Sequence, residues 1–123
     1  MGYRHTGRGG TVLKLYIPKQ GDIVKLNFEP QAGHEQKGYR PALVVSNNDF
    51  NLFTKTGAIV CPITNTDRKS SLHISLPSYL KTTGFVMCEQ LKSLDVAARG
   101  ARFFEQIPHN ILTEVLNVIN LFF

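Results

Sequence analysis

The run Asp22-Ile23-Val24-Lys25-Leu26-Asn27-Phe28 puts Val24, Leu26 and Phe28 on one face of an extended chain and Lys25 and Asn27 on the other. Side chains alternate across a strand with a period of two, so this pattern predicts a half-buried β-strand. The stretch from Glu29 to Arg40 has no such period: it holds Pro30, Gly33 and Gly38 among polar residues and reads as a long loop. Pro41 to Val45 is then continuously apolar, as expected of a strand covered on both faces.

The β pattern continues outward from this pair. Asn47 to Phe53 suits a short helical turn, and Ala58 to Ile63 is a third apolar strand. Leu72, Ile74 and Leu76 alternate with His73 and Ser75, and Phe85 to Leu94 supplies one or two further strands. Several short strands separated by turn signals predict a small antiparallel barrel or sandwich. The period changes at the C-terminus. Ile111, Val115, Val118 and Phe122 form one ridge, flanked by Leu112, Leu116, Ile119 and Phe123, while Asn110, Thr113, Glu114, Asn117 and Asn120 lie opposite. This is an amphipathic helix starting near Pro108, whose fixed φ suits a first turn. The fold class expected is mainly β with a C-terminal helix.

The 123 residues fit one domain, and 42% hydrophobic with 19% charged residues is an ordinary globular balance. No apolar run reaches the roughly 18 residues that span a bilayer, and no signal-peptide core is visible, so a soluble cytoplasmic protein without a membrane role is expected. Of the net charge of +5, four charges come from Arg4, Arg8, Lys14 and Lys19. Residues 21–123 carry ten basic and nine acidic groups, so charge alone does not identify a nucleic-acid binder. Residues 1–16 read as a flexible basic tail and 17–123 as a single domain. Cys61 and Cys88 lie in apolar runs without CxxC spacing and are expected to be buried and reduced.

Three segments can carry chemistry. Gly33-His34-Glu35-Gln36-Lys37-Gly38-Tyr39-Arg40-Pro41 gathers a histidine, an acid and two cations just before a buried strand. Cys61-Pro62-Ile63-Thr64-Asn65-Thr66 brings hydroxyl and amide groups to a strand end, suited either to a turn or to phosphate oxygens. In Met87-Cys88-Glu89-Gln90-Leu91-Lys92, two polar residues interrupt an apolar strand, so one of Glu89 and Gln90 should face a cleft. His5, His73 and His109 read as surface residues. The four histidines show no metal-ligand spacing, and no phosphate-binding loop or nucleophile motif occurs, so neither a metal nor another cofactor is expected.

Taken in order, Gly21-Asp22-Ile23-Val24, Phe28-Glu29-Pro30, Gly33-His34-Glu35-Gln36, Arg40-Pro41-Ala42-Leu43-Val44-Val45-Ser46, Cys61-Pro62-Ile63-Thr64, Cys88-Glu89-Gln90 with Lys92-Ser93-Leu94-Asp95, and Ala98-Arg99-Gly100 resemble the MazF/PemK toxin family. The resemblance runs from about Pro18 to Phe123. It implies an SH3-like barrel, a homodimer, cleavage of single-stranded RNA without a metal, and inhibition by a cognate antitoxin. A protein-binding toxin of similar barrel, such as a gyrase inhibitor, or a catalytically inactive paralogue is the alternative, because a fold does not determine a function. The loop Gly33 to Pro41 favours the ribonuclease side. By resemblance, Arg40, Thr64, Glu35, His34 and Glu89 are the catalytic candidates, and Gln36, Lys37, Asn65 and Gln90 the RNA-binding ones. The chain departs from the PemK branch of the family at Glu89, where that branch usually has Asp, and at Met87, where it places an arginine, and from the family at Val96, where a tryptophan is common.

Overall fold

In a computed structural model of the chain, residues 3–5, 12–29 and 38–123 are described. Two short strands, β1 (Tyr3–His5) and β2 (Val12–Lys14), pair antiparallel within the stretch read as a tail. The domain itself is built from β3 (Asp22–Asn27), β4 (Tyr39–Val44), β5 (Gly57–Thr64), β6 (His73–Ser75), β7 (Phe85–Met87), β8 (Lys92–Asp95) and β9 (Arg102–Gln106). Helix α1 (Asn48–Thr54) links β4 to β5, and α2 (His109–Asn120) ends the chain.

The strands form one antiparallel sheet in the order β6-β7-β5-β4-β3-β9, with β8 joining β5 at its other end. The sheet is mostly antiparallel with a C-terminal helix, as expected, but its ladder does not close into a barrel: β6 and β9 are its two ends. Sequence alternation missed β9. Its neighbouring Phe103 and Phe104 break the period of two, and its pairing with β3 is irregular between Ile23 and Val24.

Ile23 and Val24 are both fully buried, although successive strand residues face opposite ways. The central sheet is therefore covered on both faces. On one, Ile23, Leu43, Cys61, Ile63 and Val86 pack under Leu112, Val115 and Ile119 of α2. On the other, Val24, Leu26, Ala42, Val44, Ala58, Val60 and Val96 form a second core. Each fully buried large aliphatic side chain contributes roughly 1.5–3 kcal/mol, so these two layers dominate the fold's stability.

The helix presents the face the sequence assigns to it: Asn110, Thr113, Glu114, Asn117 and Asn120 are exposed. Pro108 is its N-cap rather than a first-turn residue, and Phe122 and Phe123 lie beyond its last turn. Asn47 caps α1 by accepting a hydrogen bond from the Phe50 amide at 2.8 Å. Cys61 and Cys88 are buried free thiols, with burial pushing Cys61 up to about 12 and Cys88 up to about 11. Among the described residues no helix is long and apolar enough to cross a membrane.

Candidate active site

Register decides which side chains meet at the end of the sheet. Ala42 opposes Pro62 and Val44 opposes Val60, so Arg40, two residues before Ala42, shares a face with Pro62 and Thr64. That face is the second core's. Where β4 and β5 run past the apolar layer, it opens into a cleft of about 570 Å³. Its walls include Arg40, Thr64, Asn65, Arg68, Lys92 and the apolar Phe28 and Met87. Arg40, Arg68 and Lys92 are exposed, and no acid belongs to the described lining.

Hydrogen bonding orients the neutral groups as donors. The Thr64 hydroxyl oxygen accepts from the Thr66 amide at 3.1 Å, which leaves the hydroxyl proton free to donate. Asn65 Oδ1 accepts from the Thr83 hydroxyl at 2.8 Å, which leaves the Asn65 amino group available. Guanidinium, ammonium, hydroxyl and amide donors thus converge on one space. The arrangement suits a phosphate chain: planar Arg40 can bind two oxygens at once, and Thr64 adds a further donor.

The scaffold holds this end closely. Gly84 has φ +116°, and a Cβ there would collide with the Thr64 carbonyl, so the β5–β7 edge requires glycine beside the threonine. Arg99, from the Ala98-Arg99-Gly100 segment, is a clamp: its guanidinium donates to the Phe28 carbonyl at 3.1 Å, and its own carbonyl accepts from the Asn27 amide at 2.9 Å. The Tyr39 hydroxyl donates to the Gly100 carbonyl at 2.7 Å. Asn27 and Phe28 on one strand and Tyr39 on the next are thereby tied to the same turn.

Of the candidates named from sequence, Arg40, Thr64 and Asn65 come together in the cleft. His34, Glu35, Gln36 and Lys37 lie outside the described residues. Glu89 and Gln90 do not line the cleft. They sit in a 3₁₀ turn, Cys88–Gln90, rather than in a continuing strand, so strand alternation does not govern where they point. Glu89 is exposed, and its Oε2 lies 3.0 Å from Nε2 of His73. Burial pulls the Glu89 carboxyl upward, but hydrogen bonds from His73, its own amide and Gln90 outweigh this and leave it below the usual range.

His73 corrects the reading of a surface residue: its side chain is only 4% exposed. Two cleft-lining cations escaped the sequence reading. Lys92 stood in a noted segment without a role, and Arg68 belongs to a loop with no motif. Among the described residues no group of His, Cys, Asp or Glu is placed to hold a metal ion.

An antiparallel sheet backed by a terminal helix, with a donor-lined cationic cleft at one end, defines a small β protein whose cleft suits a polyanion. The comparisons narrow this class. The pattern of the PemK-like, MazF-like toxins of type II toxin-antitoxin systems matches residues 19–123, and the chain belongs to that family. It is 38% identical over 102 residues to the endoribonuclease PemK of Escherichia coli, covering 80% of this chain and 76% of that one. It is 36% identical over 90 residues to the endoribonuclease toxin MazF of Escherichia coli strain K12, covering 73% and 79%. Crystalline MazF from Deinococcus radiodurans superposes with a TM-score of 0.76 at 37% identity, over 87% of this chain and 96% of that one. A MazE-MazF complex from the same organism superposes with a TM-score of 0.75 at 31% identity, over 87% and 95%.

Proposed function

We propose that this chain is the endoribonuclease toxin of a type II toxin-antitoxin pair, cleaving single-stranded RNA by attack of the substrate's own 2′-OH. The observation that carries the chemistry is the convergence of Arg40, Thr64 and Asn65 as donors in a cleft with two further cations. Relatives named endoribonucleases over most of the chain support the reaction class.

In this mechanism the 2′ oxygen bonds to phosphorus, the bond to the 5′ oxygen breaks, and a cyclic 2′,3′-phosphate and a 5′-OH result. The crowded phosphorane carries extra negative charge on its non-bridging oxygens. Arg40 stabilises it through two donors and Thr64 through one, which counts most where donors are already in place before reaction. The proton leaving the 2′-OH passes to one of two carboxylates, Glu35 or Glu89, and His34 serves the 5′ oxygen. Gln36, Lys37, Asn65 and Gln90 address the unstacked bases. The nucleophile comes from the substrate, so the reaction needs no metal-bound water, and it is expected to proceed without a metal. The protein acts as a homodimer, and a MazE-like antitoxin restrains it, in line with the MazE-MazF complexes.

Purified protein incubated with a long single-stranded RNA in EDTA should give discrete fragments ending in 2′,3′-cyclic phosphate (or 3′-phosphate) and 5′-OH. A substrate with 2′-deoxyribose at the scissile position should resist. Cleavage of that substrate at the normal rate would overturn the mechanism.

A further inference from the structure

The His73–Glu89 pair is placed differently from the cationic cleft. Thr64 opposes Phe85 across β5 and β7, while Met87 opposes His73 and Phe85 opposes Ser75 across β7 and β6. Opposed residues share a face, so Thr64, Phe85, Met87, His73 and Ser75 all lie on one side of this small sheet. The intervening Ile63, Val86 and Ile74 belong to the core on the other side. Strands stand about 4.8 Å apart, so His73 is roughly 10 Å from the Thr64 strand. Phe85 and Met87 lie between them, with half-buried Phe85 in neither core.

His73 is built in rather than draped over the surface. Its Nδ1 is buried with no partner among the described residues. A proton on Nδ1 would be an unsatisfied buried donor, so of the two neutral tautomers the site suits the one with its proton on Nε2, which donates to Glu89. The Glu89 side chain remains one-third exposed. The result is a carboxylate fixed from behind at the rim of an apolar, partly aromatic floor, one strand beyond the phosphate cleft.

Resting on the ribonuclease reading above, we propose that Glu89, positioned by His73, reads a nucleobase beside the scissile phosphate by accepting hydrogen bonds from the base's amino group. Single-stranded bases are recognised in this manner, by stacking on aromatic surfaces and hydrogen bonding at their pairing edges. Adenine, cytosine and guanine each offer an amino donor. Uracil offers one N–H flanked by two carbonyls, which repel a carboxylate. A carboxyl held below its usual range suits a lasting acceptor better than a general base, which works best near the operating pH. Glu35 then takes the proton from the 2′-OH.

Sequencing the fragment ends from a random single-stranded RNA tests this. Wild type should disfavour uracil at one position next to the cut. Glu89→Gln offers an amide with both a donor and an acceptor, so the preference at that position alone should relax by about tenfold, one hydrogen bond's worth, while the other positions hold. His73→Leu should relax the same position and lose the remaining preference at a higher pH than wild type, because Glu89 then protonates more readily. Asp67, the other carboxylate that His73 helps to hold down, also loses that influence in His73→Leu but keeps it in Glu89→Gln. His73→Gln, which keeps a donor, should restore the preference, and thermal melts confirm folding. Glu89→Gln that slows cleavage of every sequence equally, its residual cuts keeping the wild-type motif, would overturn the proposal and make Glu89 the base. If wild type cleaves nothing, the ribonuclease reading fails separately, and binding of 2′-deoxy oligonucleotides varied at single positions still decides. Equal binding by wild type and Glu89→Gln at all positions then overturns the base-reading role.

Discussion

At the Arg40 end of the β4–β5 pair, Thr64 and Asn65 accept from their neighbours and turn donors toward the cleft. At the opposite end, beneath α1, Ser46 and Asn51 spend their polar atoms on the fold. Ser46 Oγ donates to Asn51 Oδ1 and accepts from the Ile59 amide at 2.9 Å. Asn51, fully buried, donates to the carbonyls of Pro18 at 2.9 Å and Ser46 at 3.1 Å. Residue type does not separate these regions, since both hold short hydroxyl and amide side chains. Direction of donation and exposure do: satisfied and buried means structure, half-satisfied toward a cationic opening means binding.

The comparison breaks first at Arg40. Arg40→Ala should lower the single-turnover cleavage rate by about 10²–10³, the typical cost of removing one preorganised donor. It should leave the melting temperature nearly unchanged, because exposed substitutions usually stay within about 0.5 kcal/mol. Arg40→Lys should rescue poorly, since an ammonium keeps the charge but not the planar two-donor fork. Cleavage by Arg40→Ala within threefold of wild type would make Arg40 a structural or binding residue.

Asn51→Ala should do the reverse. It strands buried carbonyls of Pro18 and Ser46, and each unpaired group costs about 1–3 kcal/mol. Chemical denaturation should show that loss of stability, while the folded fraction cleaves at the wild-type rate. A variant as stable as wild type would mean that water replaces the amide.

Much of this division is visible in the sequence. Arg40 and Thr64 sit at strand ends, and the alternation in Asp22 to Phe28 together with the apolar run Pro41 to Val45 marks the central sheet. The 3.6-residue period marks α2. Three features are hidden, each for a physical reason. The strand β9 carries adjacent aromatics and an irregular register, so no period of two survives. The 3₁₀ turn at Cys88–Gln90 sits inside an apolar stretch that reads as strand, which misdirects the reasoning about Glu89 and Gln90. His73 falls on the face away from the core by alternation, and its register agrees. What alternation cannot show is that the side chain is nonetheless buried and meets Glu89 from the following 3₁₀ turn. Arg68 depends on a loop conformation that no local pattern encodes.

Arg68 and Lys92 sharpen the comparison with a smaller effect. They line the cleft, but in the proposed mechanism Arg40 and Thr64 carry the chemistry, so the contribution expected of these two cations is attraction for phosphates. Each substitution to alanine should reduce the slope of log affinity against log salt by about 0.7, the value for one single-strand phosphate contact. The loss should appear in KM more than in kcat. Binding of a non-cleavable 2′-deoxy oligonucleotide across a salt series measures it, and an unchanged slope in both variants would remove them from the RNA path.

The smallest effect concerns Glu105, which uses the structural mode close to the cleft. Its Oε2 accepts from the Thr82 amide at 2.7 Å and the Thr82 hydroxyl at 2.6 Å, and its Oε1 from the Lys81 amide at 3.2 Å. These bonds tie the turn that carries Thr83, the partner of Asn65, to β9. Burial alone would raise the Glu105 carboxyl, but the Thr82 hydroxyl, the two amides and the Lys81 charge prevail and hold it below the usual range. A group that titrates lower folded than unfolded contributes stability above its unfolded value, about 4.3 for glutamate. That contribution is lost as pH falls through the lower folded value. Wild type should therefore lose stability on acidification through that window more steeply than Glu105→Gln, with the two curves converging at lower pH. The difference should be modest, because the carboxyl is partly solvated. Melting curves from pH 7 down to pH 3 measure it. Parallel curves would show that the carboxylate does not hold the turn, and that Asn65 is oriented by Thr83 without help from β9.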